Sequence, residues 1–229
     1  TTLNSKIQKI LEYEFSLSEN FPNSFTDKDN IIQPQAAMVV IDQKTGYVKA
    51  LIGGRGQAGS FIYDRSDNPR QPGSAIKPLA VYLLALKDGM TPNSIINDSP
   101  RRDSTSPTGY WPSNIFGIYY GNATMKKLIQ VSANVAAVKT LESLGKTRAE
   151  AVSRSLDYLE EMGFKHLVRR TDDPVNNDEN LALALGGLTH GVTPLEMASA
   201  YSGIANLGKQ VKPTFITKIV DRNDSVIYE

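Results

Sequence analysis

Ser74-Ala-Ile-Lys77 sets a hydroxyl and an amine three residues apart. In a helix such residues share a face, so the lysine amine can reach the serine oxygen. A neutral lysine there can take the serine proton and leave a nucleophile. That requires burial or a neighbouring charge to lower its pKa far below about 10.4. A serine at a helix start is equally a cap, and a chain rich in serine and lysine meets this spacing by chance. Ser143-Leu-Gly-Lys146 is a second instance, laid across a stop at Gly145 where the two side chains would not share a face. Arg70-Gln-Pro-Gly73 makes a tight approach into Ser74, with no side chain at Gly73 beside it. Ser132-Ala-Asn134 lies between Leu128-Ile129 and Val135-Ala-Ala137. Polar groups in so apolar a setting must pair with each other or face a cleft. They read either as a buried hydrogen-bonded pair or as a second hydroxyl and an amide that orient a substrate.

The elements that must position these groups follow from periodicity. Leu3, Ile7, Ile10, Leu11 and Phe15 predict an amphipathic helix capped by Thr2, and residues 16–35, broken by Pro22 and Pro34, predict a linker or surface loop. Two β-rich runs, Ala36–Asp42 and Tyr47–Ile52, predict a hairpin across Gln43-Lys-Thr-Gly46. Ser74 opens a helix with Pro78 in its first turn and a stop at Gly89. Residues 91–122 read as a long structured loop, and loops of that length are usually functional. A helical region over Thr124–Leu144, capping boxes at Thr147–Glu150 and Thr193–Glu196, and strands at Thr214–Asp221 and Val226–Glu229 complete the chain. The order predicts an α+β arrangement.

Composition narrows the function classes. The chain has 229 residues, a net charge of +1 and no cysteine. That excludes disulfides, thiol catalysis and cysteine metal sites, and gives no basic field for nucleic acid. It also fits an oxidising compartment. His166 and His190 stand far apart in sequence, which argues against a histidine-rich metal site. The acidic run Asp172-Asp173 to Asp178-Glu179 lacks EF-hand spacing and reads as a solvated loop. Trp111, with Tyr110, Tyr119 and Tyr120, reads as the floor of a cleft or as loop packing. Gly54-Arg-Gly-Gln-Ala-Gly59 spells a dinucleotide fingerprint, but the broken polar stretch Asp64–Pro72 follows it instead of a helix.

Taken together, Gln71-Pro-Gly-Ser-Ala-Ile-Lys-Pro78, Ser132-Ala-Asn134 and Gly191-Val-Thr-Pro-Leu-Glu-Met-Ala198, with Tyr201, Ala205-Asn206 and Gly208, resemble the transpeptidase domain of class A (bifunctional) penicillin-binding proteins. Ala36–Gly54 resembles the hairpin that opens that domain, and the likeness runs over roughly residues 33–221. Lys44-Thr-Gly46 and Ser66-Asp-Asn68 spell other motifs of the family, but both precede Ser74 and are out of order.

The resemblance implies a β-lactamase/penicillin-binding-protein transpeptidase-like α+β fold, an antiparallel sheet flanked by helices. Residues 1–32 would be a lead-in helix and linker, and 33–229 the N-terminal part of the domain, incomplete at its C-terminal end. It implies a serine D,D-transpeptidase that cross-links peptidoglycan stem peptides, donor and acceptor, through a Ser74 acyl-enzyme. Lys77 would be general base, Ser132 would relay the proton, and Asn134 would hold the substrate and Lys77. β-Lactams would acylate Ser74, and no metal or organic cofactor is needed. A D,D-carboxypeptidase, or a non-catalytic β-lactam sensor of the same fold, is the alternative. The family's Lys-Thr-Gly does not occur after Asn134, so a second chain or missing segment is expected to supply it. The expected place is the extracytoplasmic face of a bacterial membrane, with the anchor and any glycosyltransferase module upstream of Thr1.

Overall fold

In the computed structural model, which describes residues 1–56 and 63–228, helices dominate and strands occur as short antiparallel pairs. The elements are α1 (Ser5–Ser16), β1 (Phe25–Thr26), β2 (Ile32–Gln33), β3 (Met38–Ile41), β4 (Val48–Ile52), α2 (Leu83–Lys87), β5 (Ile95–Asn97), β6 (Asn122–Thr124), α3 (Met125–Gln130), α4 (Asn134–Glu142), α5 (Arg148–Glu161), α6 (Pro194–Ala205), β7 (Ile219–Val220) and β8 (Val226–Tyr228). The strands pair β1–β2, β3–β4, β5–β6 and β7–β8. This is the expected α+β composition. The chain forms two units, one of Thr1–Pro69 with Thr193–Glu229 and one of Arg70–Val192.

In the first unit the predicted hairpin pairs Met38 with Ile52 and Val40 with Ala50. The Asp42 carboxylate accepts the N–H groups of Lys44 and Thr45 at 2.9 and 3.3 Å, so Lys44-Thr-Gly46 is the turn itself. α1 sets Leu11 and Phe15 on Ala50, with Ile7, Phe21, Val40 and Ile52 around them. Its cap is Asn4, which accepts from Lys6 N and Ile7 N, and not Thr2. Thr2 is drawn into the strands instead. It is buried, with its hydroxyl 2.8 Å from Val48 O and 2.9 Å from Thr214 O. The stretch read as a linker is organised by the β1–β2 pair. It is also held by buried Arg55, whose guanidinium stacks 3.6 Å from the Phe21 ring centre and donates to Pro34 O and Ser24 Oγ. Thr193 and Glu196 close the full reciprocal capping box at the start of α6. The expected long C-terminal strand shrinks to β7, because Thr214 forms only a single parallel bridge to Tyr47. The expected end of the last strand, Glu229, lies outside the described residues.

The second unit is built around α4. Val135, Ala136, Ala137, Val138 and Leu141 are all buried, while Asn134, Lys139 and Glu142 are half-buried, so the helix is enclosed over most of its circumference. It packs on α5, β5, the Pro78–Tyr82 turn and a 3₁₀ turn at Leu181–Leu185. At the start of α5, Thr147 accepts from Glu150 N, but the Glu150 carboxylate takes Lys146 N, so only half of the expected box closes. Arg101, 8% exposed, ties the long loop to α4 through a two-pronged pair with Glu142 at 2.9 and 2.6 Å. Its third nitrogen donates to Asp103 and Trp111 O. The acidic loop is not wholly solvated, since Asp178 is buried and accepts Val168 N and Thr189 N. Two separated backbone donors need one carboxylate between them, and burial follows.

The helix expected from Ser74 is three helical pieces in series: a 3₁₀ turn at Gly73–Ile76, a π-helical turn at Pro78–Tyr82 and then α2. Gly186 presses on its start. A Cβ at Gly186 would stand 2.3 Å from Gly73 O and 2.5 Å from Gly73 N, and its φ is +77°. Gly186→Ala should therefore lose about 2–4 kcal/mol, from left-handed backbone strain plus overpacking. Gly163→Ala, also at positive φ but with open space around the new methyl, should lose only the smaller backbone part. Denaturant unfolding of the two variants checks this, and equal losses would contradict the contact.

Candidate active site

The four residues singled out in the sequence lie in the Arg70–Val192 unit. Lys77 enters the interior directly after the Gly73–Ile76 turn and is 3% exposed. Its Nζ donates to Ser132 O at 2.7 Å, Ser132 Oγ at 3.1 Å and Asn134 Oδ1 at 2.6 Å. Burial lowers its pKa to about 8, and the negative field of Asp98 opposes part of that fall. At pH 7 about one amine in ten is then neutral, against about one in three thousand at the ordinary lysine value. With the amine neutral, the Ser132 hydroxyl can turn and donate to it.

Ser74 is exposed, and among the described residues its hydroxyl has no hydrogen-bond partner. The Lys77 N–H bonds Ser74 O, the i to i+3 contact of a 3₁₀ turn. In that geometry residues three apart are eclipsed, so the two side chains leave on one edge. The Ser74 N–H belongs to a first helical turn, whose donors have no partner within the helix. The structure thus brings Lys77, Ser132 and Asn134 into contact and leaves the Ser74 hydroxyl open beside them in sequence.

The helical region expected over Thr124–Leu144 is two helices, and the break between them holds Ser132. α3 ends at Gln130, after which Ser132 N bonds Ile129 O and Ala133 N bonds Leu128 O, both at 3.0 Å. Those bonds make a Schellman ending, and its left-handed position is held by Ser132 at φ 53°, where glycine is usual. α4 then restarts at Asn134 with no cap from Ala133. Two residues that sequence reasoning missed supply the cap. Asn114 Oδ1 accepts Asn134 N at 2.8 Å and Val135 N at 3.0 Å, and Asp98 Oδ1 accepts Ala136 N at 3.1 Å. Asp98 Oδ2 in turn accepts Asn114 Nδ2 at 2.7 Å. Both residues sit in the segment read only as a loop. The available signal was Asp98 at the end of the apolar run Ile95-Ile96, where a carboxylate bordering a buried strand needs several donors.

The other singled-out groups fall elsewhere. An open hollow of about 320 Å³ beside Ser132 is lined by Ile115, Phe116, Ile118 and Tyr120 among others, whereas Trp111, Tyr110 and Tyr119 are not in its wall. Trp111 O serves Arg101, which favours packing for that residue. His166 and His190, distant in sequence, line one shallow hollow of about 670 Å³ with Asp172 and Asp173. Among the described residues no group of three or more His, Cys, Asp or Glu could hold a metal ion. Ser66 of Ser66-Asp-Asn68 is buried, and it donates from both N and Oγ to Asp64 Oδ1. Gln57–Gly59 of the glycine-rich run lie outside the described residues.

Residues 36–228 match the family model of the penicillin binding protein transpeptidase domain. Penicillin-binding protein 1A of Clostridium acetobutylicum is 33% identical over 242 residues, covering 100% of this chain and 28% of that protein. Penicillin-binding protein 1A of Aquifex aeolicus is 40% identical over 197 residues, covering 85% of this chain and 24% of that protein. The chain thus spans about a quarter of the length of these relatives. Among solved structures, PonA1 of Mycobacterium tuberculosis in complex with penicillin V superposes with a TM-score of 0.76 at 22% identity, over 100% of this chain and 56% of that one, and shares the fold. With a family match over most of its length and relatives above 30% identity, the chain belongs to the penicillin-binding-protein transpeptidase family.

Proposed function

We propose that this chain carries a serine acyl-transfer site that cleaves the D-Ala-D-Ala bond of a peptidoglycan stem peptide and passes the acyl group to the amine of a second stem peptide. The observation that carries the reading is the buried Lys77 amine, held by Ser132 and Asn134 at a pKa of about 8. An amine kept charged for stability would face a carboxylate. Here Lys77 faces two side-chain oxygens and a carbonyl, a setting that tolerates the neutral form.

Ser74 Oγ attacks the carbonyl carbon, and its proton passes to neutral Lys77 Nζ. The Ser74 N–H donates to the developing oxyanion, where charge exists only in the transition state. The C–N bond breaks, and the proton returns from Lys77 through Ser132 Oγ to the leaving D-alanine amine. The ester on Ser74 is then attacked by the acceptor amine, with the same relay removing its proton. The Asn134 amide, whose Nδ2 donates to Ser113 O at 2.9 Å, is fixed where it can orient the substrate chain. The reading requires a second oxyanion donor opposite Ser74. β-Lactams act as substrates whose acyl-enzyme resolves slowly, and the reaction belongs on the extracytoplasmic side of the membrane, where stem peptides are.

A labelled penicillin should attach to Ser74 in the intact protein, and Ser74→Ala should remove the label. Label on another residue would overturn the assignment. Products formed with and without an acceptor amine separate transfer from hydrolysis, and a slow stoichiometric label with no turnover of stem peptide would mark a sensor. The pH profile follows from Lys77. The base works only when neutral, so the acylation rate should rise about tenfold per pH unit below about 8 and level off above it. A profile flat from pH 6 to 9 would exclude Lys77 as the base.

A further inference from the structure

Asp98 is a fully buried carboxylate with no cation bonded to it among the described residues. It accepts three hydrogen bonds, from Asn114 Nδ2 at 2.7 Å, Tyr120 N at 3.0 Å and Ala136 N at 3.1 Å. Two of these hold Asn114 and Tyr120 of the long loop, and the third is a donor of the first turn of α4 with no partner within the helix, where negative charge is favoured. A neutral amide at this position would offer one oxygen for three donors and would point its own NH₂ group at a donor. Three donors are therefore matched by the two oxygens of an acid side chain and not by an amide.

The consequence reaches the site through Asn114. Its Nδ2 donates to Asp98 Oδ2 and to Ile118 O at 3.0 Å, which compels its Oδ1 to face α4. That oxygen then takes Asn134 N and Val135 N and fixes the residues that follow the left-handed Ser132. We propose that Asp98, acting through Asn114, is the positioning carboxylate that holds the Ser132–Asn134 turn against Lys77. This inference rests on the acyl-transfer reading of the same site and adds residues to it. Asp98 touches no reacting atom. It sets where Ser132 Oγ and Asn134 Oδ1 stand, and its charge opposes deprotonation of Lys77. The other groups that feel this charge are Lys139 and Tyr82, the tyrosine being buried with no hydrogen-bond partner for its hydroxyl among the described residues. Lys139 is itself held by Asn97 Oδ1 and Ser99 O, with Arg101 and Glu142 acting on it.

The test uses three variants of the intact protein, Asp98→Asn, Asn114→Asp and the double swap. Asp98→Asn leaves one oxygen for three donors and Asn114→Asp sets two carboxylates against each other, so in each the limiting rate of Ser74 acylation by a labelled penicillin should fall on the order of 10- to 100-fold. The rising limb of the pH profile should move in opposite directions. Asp98→Asn removes a negative charge and shifts it to lower pH, and Asn114→Asp adds one and shifts it to higher pH. The double swap restores one carboxylate and one amide facing each other, and should recover part of the rate with the limb near its original place. Limbs that stay fixed while the rates fall would reduce Asp98 to a structural residue, and unchanged rates would overturn the proposal outright. The titration of the Lys77 amine, followed by NMR in lysine-labelled protein, reads the same opposite displacements without any acylation. If Ser74 of the unaltered protein takes no label, the acyl-transfer reading fails, and the NMR midpoints alone then support or overturn the role of Asp98. If one single variant does not fold, the other still gives a displacement of predicted sign and the double swap a limb that stays in place.

Discussion

Everything in the Arg70–Val192 unit that concerns chemistry converges on one buried amine. Lys77 Nζ spends its three donors on Ser132 O, Ser132 Oγ and Asn134 Oδ1, all on a turn more than fifty residues away in sequence. Burying an ammonium without a bonded carboxylate is costly, and the protein meets that cost by letting the pKa fall towards neutrality. The same arrangement that makes the lysine expensive as a structural residue makes it usable as a base. A contacting carboxylate would stabilise the charged form and remove that use. Asp98 is therefore placed where its field is felt by Lys77 while its oxygens are consumed by other donors.

The acceptors for that amine exist only because a helix is interrupted. A continuous helix from Met125 to Glu142 would point Ser132 and Asn134 along its surface and tie Ser132 O to the backbone. The Schellman ending frees that carbonyl and turns it to Lys77, and it does so with serine in a left-handed conformation that costs on the order of 1 kcal/mol. Glycine would relieve the strain and delete the hydroxyl. The strain is thus tied to a side chain that the proposed chemistry uses, and the surroundings hold it from both sides, Lys77 on one and the Asn114–Asp98 cap on the other.

Local signals were legible in the sequence where local forces decide. The β3–β4 hairpin, α5 and the Thr193–Glu196 box sit where turn residues, period and capping chemistry place them. The Ser74–Lys77 spacing and the Ser132–Asn134 pair were legible as candidates, and the family likeness ordered them. What was not legible is long-range. No local pattern separates α3 from α4, because Leu128 and Ile129 continue smoothly into Val135–Val138 in hydrophobic period. The break is set by donors and acceptors at Asp98 and Asn114, 38 and 20 residues from their partners on α4. Thr2 failed as a cap for the same reason, since carbonyls at Val48 and Thr214 outcompete the helix end for its hydroxyl.

The mixed helix after Gly73 resolves a difficulty in the spacing itself. In an α-helix residues i and i+3 are offset by about 60° around the axis, so a serine and a lysine so spaced diverge somewhat. The 3₁₀ turn at Gly73–Ile76 removes the offset and stacks them. Such a turn cannot continue for long, and Pro78, which has no N–H to give, begins the wider π-helical turn that follows. That widening lets the chain recover α geometry by Leu83 while Leu79, Ala80, Val81 and Tyr82 all remain buried. The tight half aligns the proposed Ser74–Lys77 pair and the wide half is seated in the core. The contact of Gly186 with Gly73 clamps the tight half from outside. Ser74 is thereby exposed at the rim while Lys77, one turn below, is sealed, which is the difference in environment that the proposed nucleophile and base require.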